Sequence, residues 1–422
     1  MKKIILIGML CVGLWGLWAG AGKDSVKGPQ KIVFWYYHKG DEGAVLEEVL
    51  KKFNQSQQTY EAQGFSVPDT QKYIVAMASN ESPDIIEVSN QQIPTYQSAG
   101  LLEDIGGLAK KNSFSTDIFG KAALEANSVS GTVYGLPYNS VIIQMFYNKT
   151  ILNSIGYTAP PATMEELYEM AVKATTLDGA GNIDILGYPL FPLASARQEL
   201  IYAFGGTWTD SSGKKATPNS PGVLASLKLN AEYRNRYGAD KVQRFVATSN
   251  TNRYSPQDIF FAGKQLFRFD GPWLSKMIAD NNPALDYGVA LIPGTKANPG
   301  LRGVSRYETA SIVIPRAGKN KDGAWALAKF LVTEGAKDLC LGMRNLPANK
   351  NLYTDKDLLS LDPSFPMFME ALKTENGIQY PKLEESAKYT SLIEEHLDYV
   401  YNGTKTPEEA MNALQQQASQ LR

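Results

Sequence analysis

Short β-rich runs alternate with amphipathic helical stripes along this chain, and that alternation most narrows what it can fold into. Ile32-Val33-Phe34-Trp35-Tyr36-Tyr37 is a strand by composition, followed by a loop at His38-Lys39-Gly40. Asp41 stands where a helix cap belongs, and Val45, Leu46, Val49, Leu50 and Phe53 then recur on one helical face. Pro83-Asp84-Ile85-Ile86-Glu87-Val88 and the run from Val141 to Tyr147 are further strands. Thr163-Met164-Glu165-Glu166 is a capping box, and Thr406-Pro407-Glu408-Glu409 is a second with proline at the first helical position. Strands interleaved with helices imply α/β layers with mostly parallel sheets. At 422 residues the chain is too long for one ordinary domain, so two lobes are expected.

The N-terminus has the pattern of an export signal. Lys2 and Lys3 precede an apolar run, and Ala19-Gly20-Ala21 offers a small-residue cleavage site before Lys23 and Asp24. Residues 1–21 are expected to be removed, taking the formal net charge from −1 to −3. Two alternatives stay open. Roughly 18 apolar residues can just span a bilayer as a retained anchor. Cys11 offers a lipidation site, although Gly8-Met9-Leu10-Cys11 is a poor lipobox and the apolar run continues past it. Cleavage leaves Cys340 alone, so the mature chain has no internal disulfide and depends on its core.

Composition excludes several classes. With 42 basic and 43 acidic side chains there is no positive excess to hold nucleic acid. The two cysteines form no CxxC, and His38 and His396 form no His pair, so neither a metal site nor a cofactor is expected. The unusual feature is aromatic: 22 Tyr, 16 Phe and 6 Trp, flat side chains that a sugar-stacking pocket would use, although core packing accounts for most of them.

Several loose motifs stand in one order. They include Phe34-Trp35-Tyr36-Tyr37-His38, Ser82-Pro83-Asp84-Ile85-Ile86, Ala99-Gly100-Leu101-Leu102-Glu103-Asp104, Gly135-Leu136-Pro137-Tyr138-Asn139 with Phe146-Tyr147-Asn148-Lys149, Asp270-Gly271-Pro272-Trp273, and Leu346-Pro347-Ala348. In that order, and behind an export signal, they resemble the extracellular solute-binding proteins of ABC importers, the group that includes maltose-binding and glycerol-3-phosphate-binding proteins. The resemblance implies a two-lobed α/β clamp crossed three times by the chain. It places an N-lobe at 29–145 plus 312–355 and a C-lobe at 146–310 plus 356–422. It implies a monomeric, exported, non-enzymatic protein that closes on a solute and passes it to membrane permease subunits.

Candidate ligand residues follow from chemistry and from this resemblance. Trp273, in Gly271-Pro272-Trp273, matches a family position that stacks on sugar rings. Asp270 offers a carboxylate to sugar hydroxyls, its alternative being a helix cap. Trp208 follows the glycines 205 and 206, and Trp35 lies in the first strand, where core packing competes. His38 belongs to the loop after that strand, and Asn90 follows the second strand at the end where open α/β sheets place ligands. Tyr138 and Asn139 precede the first crossing, with a strand-entry turn as the alternative. Arg306, Tyr307 and Glu308 replace the family's glycine-rich stretch; they either read the ligand or pair with one another. Carbohydrate is the expected ligand. Glycerol-3-phosphate would want clustered basic groups, and an exported glycosidase would want a carboxylate pair that sequence cannot show.

Overall fold

The computed structural model describes residues 28–421, apart from 191–193, 211–212, 214, 252–253, 380, 382 and 384. The export signal expected at 1–21, with Cys11, lies outside the described residues.

Two separate sheets organise the chain. The first strand, Gln30–Tyr36, buries Ile32, Phe34 and Tyr36 on one face, as period-two alternation requires. The helix Gly40–Ser56 covers that face with Leu46, Val49, Leu50 and Phe53. Gly64 permits this close approach: a Cβ there would stand 2.7 Å from a Leu50 methyl carbon. The strands Gln30–Tyr36 and Tyr60–Ser66 run parallel, as do Gln30–Tyr36 and Ile85–Ser89. Ala310–Val313 then joins antiparallel and carries the two-residue strand Leu136–Pro137 at the far edge. The second sheet has Gln144–Asn148 at its centre, flanked antiparallel by Phe267–Asp270 and Tyr287–Ala290.

The fold is thus two-lobed and α/β, with helices flanking both sheets, but the expectation of mostly parallel sheets needs correction. Among the described residues parallel ladders are confined to the first three strands and to the short pair Ser305–Arg306 with Gly377–Ile378, with one isolated parallel bridge between Leu186 and Gln265. The physical reason is the crossing chain. Ala310–Val313 returns from the other half and fills the first sheet from the opposite direction, whereas a parallel partner would need its own crossover helix. Asp41 is likewise no cap: the helix starts at Gly40, and Asp41 sits in its first turn. There its charge still favours the N-terminal dipole. Thr163 does cap its helix, and Thr406 and Glu409 form the reciprocal box.

The two sheets pack into separate cores, and the first sheet has a further one where Ile86, Val88 and Val313 meet Tyr73. Ile32, Phe34, Ile312 and Leu331 belong to the first core, and Met145, Leu167, Phe269 and Leu397 to the second. Between them Phe146 sits 6.1 Å from the Phe368 ring and 5.9 Å from Tyr287, centroid to centroid. The helices Lys356–Leu361 and Phe365–Lys373 add Leu358, Phe365 and Phe368 to the first core, while Ser386–Tyr401 and Pro407–Ala418 pack in the second. Cys340 is buried and free. Among the described residues no helix is long and apolar enough to cross a membrane.

Candidate ligand-binding site

The first half presents a polar cluster at the ends of its central strands. Glu87 is fully buried in the strand Ile85–Ser89, so its carboxylate must find partners. The Tyr37 backbone N–H donates to Oε2 at 3.1 Å, His38 Nε2 lies 3.1 Å from Oε1, and the Tyr138 hydroxyl donates to the same oxygen. His38 Nδ1 meets Glu42 at 2.9 Å, one helical turn away. Burial alone would lower the His38 pKa, but hydrogen bonds and charge from Glu42 and Glu87 outweigh it and raise it to about 9. The imidazolium is therefore the neutral-pH form. Trp35, half-buried, packs against Tyr73 with centroids 6.1 Å apart.

Asn90 and Asn139 converge on the returning strand. Asn90 Oδ1 accepts from the Thr309 N–H at 3.0 Å, and Asn139 Oδ1 accepts from the Ala310 N–H at 2.7 Å. Both amides thereby fix the end of the second crossing. Asn90 also lines a cavity of about 290 Å³. Asn90, Gln91 and Thr95 bound it on one side, and Gln379, Ser386 and Thr390 on the other. Proline and aliphatic carbons fill in between, so its described lining is amide, hydroxyl and hydrocarbon. Gln379 reaches across to donate to the Ala122 carbonyl at 3.1 Å.

The crossing itself holds Arg306, Tyr307 and Glu308. Arg306 pairs with Glu308 at 2.5 Å, which is the mutual pairing considered from sequence. Tyr307 is buried, its hydroxyl against Ser140 Oγ. Beneath them Glu199 is fully buried and accepts from the Arg306 backbone N–H at 3.1 and 3.2 Å. Burial pushes its carboxyl up to about 8, opposed by the Arg306 charge and by hydrogen bonds from Arg306 and Ser305. A carboxyl raised from its ordinary 4.5 favours the protonated fold, so this stabilisation is full below 4.5 and lost as pH rises through about 8. Glu199→Gln is expected to flatten that loss in a melting series from about pH 5 to 9. His38 adds its own loss from 6.5 upward through about 9, which cancels when variant and parent are compared. An unchanged slope in the variant would contradict the assignment.

In the second half Trp273 opens the helix Trp273–Asn281 directly after the strand Phe267–Asp270. Its indole folds back over Gly271, where any Cβ would overlap the ring. Its Nε1–H donates to the Tyr254 hydroxyl at 2.7 Å, and that hydroxyl donates to Asp270 Oδ1 at 3.0 Å. Asp270 is not the helix cap, a place Pro272 takes. It is one arm of a buried ion triad: Arg268 Nε donates to Asp270 Oδ2 at 3.1 Å, and Arg268 Nη1 to Asp258 Oδ1 at 3.0 Å. Trp208 is buried within the second core, and its carbonyl accepts from the Tyr389 hydroxyl at 2.7 Å.

The structure thus gathers His38 with Tyr138, Asn90 with Asn139, Arg306 with Glu308, and Trp273 with Gly271 and Asp270. Sequence reasoning missed Glu87, Glu199, Gln379 and Tyr254. Glu87 carried a signal, a charge inside an otherwise apolar strand run. Nothing in sequence marks Tyr254, whose φ of 56° is left-handed. Among the described residues no group of three or more His, Cys, Asp or Glu side chains is arranged to hold a metal ion.

Fold and site together define a two-lobed α/β binding protein with a cavity bounded by elements of both halves. The family model for bacterial extracellular solute-binding protein matches residues 38–338, and the chain belongs to that family. A maltotriose-binding protein of Pyrococcus abyssi is 25% identical over 355 residues, 83% of this chain and 73% of that one. A galactooligosaccharide-binding protein of Bacillus subtilis is 23% identical over 345 residues, 78% of this chain and 75% of that one. The sugar-binding protein MalE from the phytopathogen Xanthomonas citri superposes with a TM-score of 0.77 at 21% identity, over 92% of this chain and 96% of that one.

Proposed function

We propose that this protein is the extracytoplasmic substrate-binding component of an ABC importer, taking a neutral mono- or oligosaccharide between its halves and handing it unchanged to membrane permease subunits. The observation that carries the reading is the cavity of about 290 Å³, whose described lining combines amides and hydroxyls with hydrocarbon. Amides and hydroxyls suit sugar hydroxyls, and hydrocarbon suits C–H faces. The sugar ligands named for the relatives agree with it. The lobes are proposed at 29–145 with 312–355 and at 146–310 with 356–422. The helices of 356–373 then lie along the seam, since their apolar faces join the first core. Of the candidate residues Asn90 is in the described lining of that cavity, whereas Trp273, the proposed stacking platform, and His38 lie outside it. Tyr138, Asn139, Trp208, Asp270 and the Arg306–Glu308 pair hold the walls. Export with cleavage after Ala21 belongs to the same proposal, and N-terminal sequencing of the secreted protein tests it.

A thermal-shift panel of maltotriose, mannotriose, galactooligosaccharides and glycerol-3-phosphate tests the ligand class. A sugar present at about 100 times its Kd stabilises the folded form by about 2.7 kcal/mol. The expected result is a rise in melting temperature with at least one sugar. A rise with glycerol-3-phosphate alone would replace carbohydrate by a phosphate ester.

A further inference from the structure

We infer that Tyr254 is a positioning residue for sugar capture, fixing the plane of the Trp273 indole before any ligand arrives; this rests on the proposed function and names a residue it does not include. The indole is held in two directions. Its face lies over Gly271, where only a glycine leaves room, and its Nε1–H edge is tied to the Tyr254 hydroxyl at 2.7 Å. That hydroxyl in turn donates a hydrogen bond to Asp270 Oδ1 at 3.0 Å. Asp270 is in turn locked by Arg268, so the indole N–H ends a chain anchored on a buried ion triad.

Tyr254 is itself held in an uncomfortable place. Its φ of 56° is one a bulky side chain rarely adopts, yet both its backbone groups are pinned. Its N–H donates to Asp258 Oδ2 at 3.2 Å, and its carbonyl accepts from Asn281 Nδ2 at 3.3 Å. The Arg268 guanidinium lies 6.0 Å from the centre of its ring. Asp258 and Arg268 therefore hold the tyrosine at the backbone and the ring, and Asp270 holds it at the hydroxyl. A backbone outlier so over-determined points to a task at its side chain, and the group it delivers to is Trp273. A preorganised indole leaves its ordering entropy out of the binding step.

The test is Tyr254→Phe, which keeps the ring and removes the hydroxyl. In the ¹⁵N-labelled, sugar-free protein the Trp273 indole N–H, assigned by its loss in Trp273→Phe, is expected to shift and to exchange faster with solvent. Affinity for whichever of maltotriose and mannotriose binds the parent is expected to fall about tenfold in Tyr254→Phe. In a Trp273→Ala background the same change should cost less than about twofold, because the residue it positions is gone. A purely structural role would lower the melting temperature and weaken binding equally in both backgrounds. The inference is overturned if the indole resonance is unmoved, or if the affinity loss persists without Trp273, which would make Tyr254 a direct sugar contact. If Trp273→Ala itself binds sugar like the parent, the proposed stacking platform fails instead, and the resonance still decides whether Tyr254 holds the indole.

Discussion

Arg268→Ala is expected to destabilise the fold by about 3–5 kcal/mol, the largest loss for any single substitution considered. Arg268 is fully buried between Asp258 and Asp270, which are fully buried as well, at 3.0 and 3.1 Å. Removing the cation leaves two carboxylates in a dry interior, each deprived of its main donor and repelling the other. The cost is the penalty of those orphaned charges, and not the worth of two ion pairs. Arg268→Met combined with Asp258→Asn and Asp270→Asn should therefore recover much of the loss, since an uncharged interior of similar volume carries no such penalty. Urea unfolding of the three proteins measures this. A loss below about 1 kcal/mol for Arg268→Ala would mean that water reaches the triad and that the second half is looser than its packing implies.

Trp273→Ala is expected to weaken sugar binding by about 1–3 kcal/mol with little change in stability, the effect of deleting a partly exposed aromatic platform. Gly271→Ala should reproduce much of this with the tryptophan still in the sequence. A Cβ at 271 would occupy the place of the ring, so the tryptophan must swing away from Tyr254. Calorimetric titration with the sugar that binds the parent measures both variants. Parent-like affinity in Trp273→Ala would place the stacking surface elsewhere in the cleft.

How far the sequence reaches is visible in these residues. Elements with strong local patterns were legible: the alternation of Ile32, Phe34 and Tyr36, the stripe from Leu46 to Phe53, and the two capped helices at Thr163 and Thr406. Strand direction was not, because whether Ala310–Val313 enters parallel or antiparallel is set by where the chain returns from and not by its own side chains. In the site, Trp273 and Gly271 stood together in one motif, and the structure shows why, since the indole rests on the glycine. Asp270 was legible as a polar group beside them, but its partners Arg268 and Asp258 become a triad only when strand and preceding turn pack. Trp208 looked like a loop residue after two glycines, yet its ring is nearly inaccessible, because Gly206 lets that turn press against Ile201 and Val223. Glu199 and Gln379 act across sequence separations of 107 and 257 residues, which no local pattern encodes.

Small-angle scattering of the protein, with and without a sugar that raises its melting temperature, asks directly whether the halves close on the ligand. The account predicts a smaller radius of gyration at saturation, and no such change in a variant with the cavity blocked at Thr390 or Asn90. A sugar that binds stoichiometrically and leaves the scattering curve of the parent unchanged would contradict it.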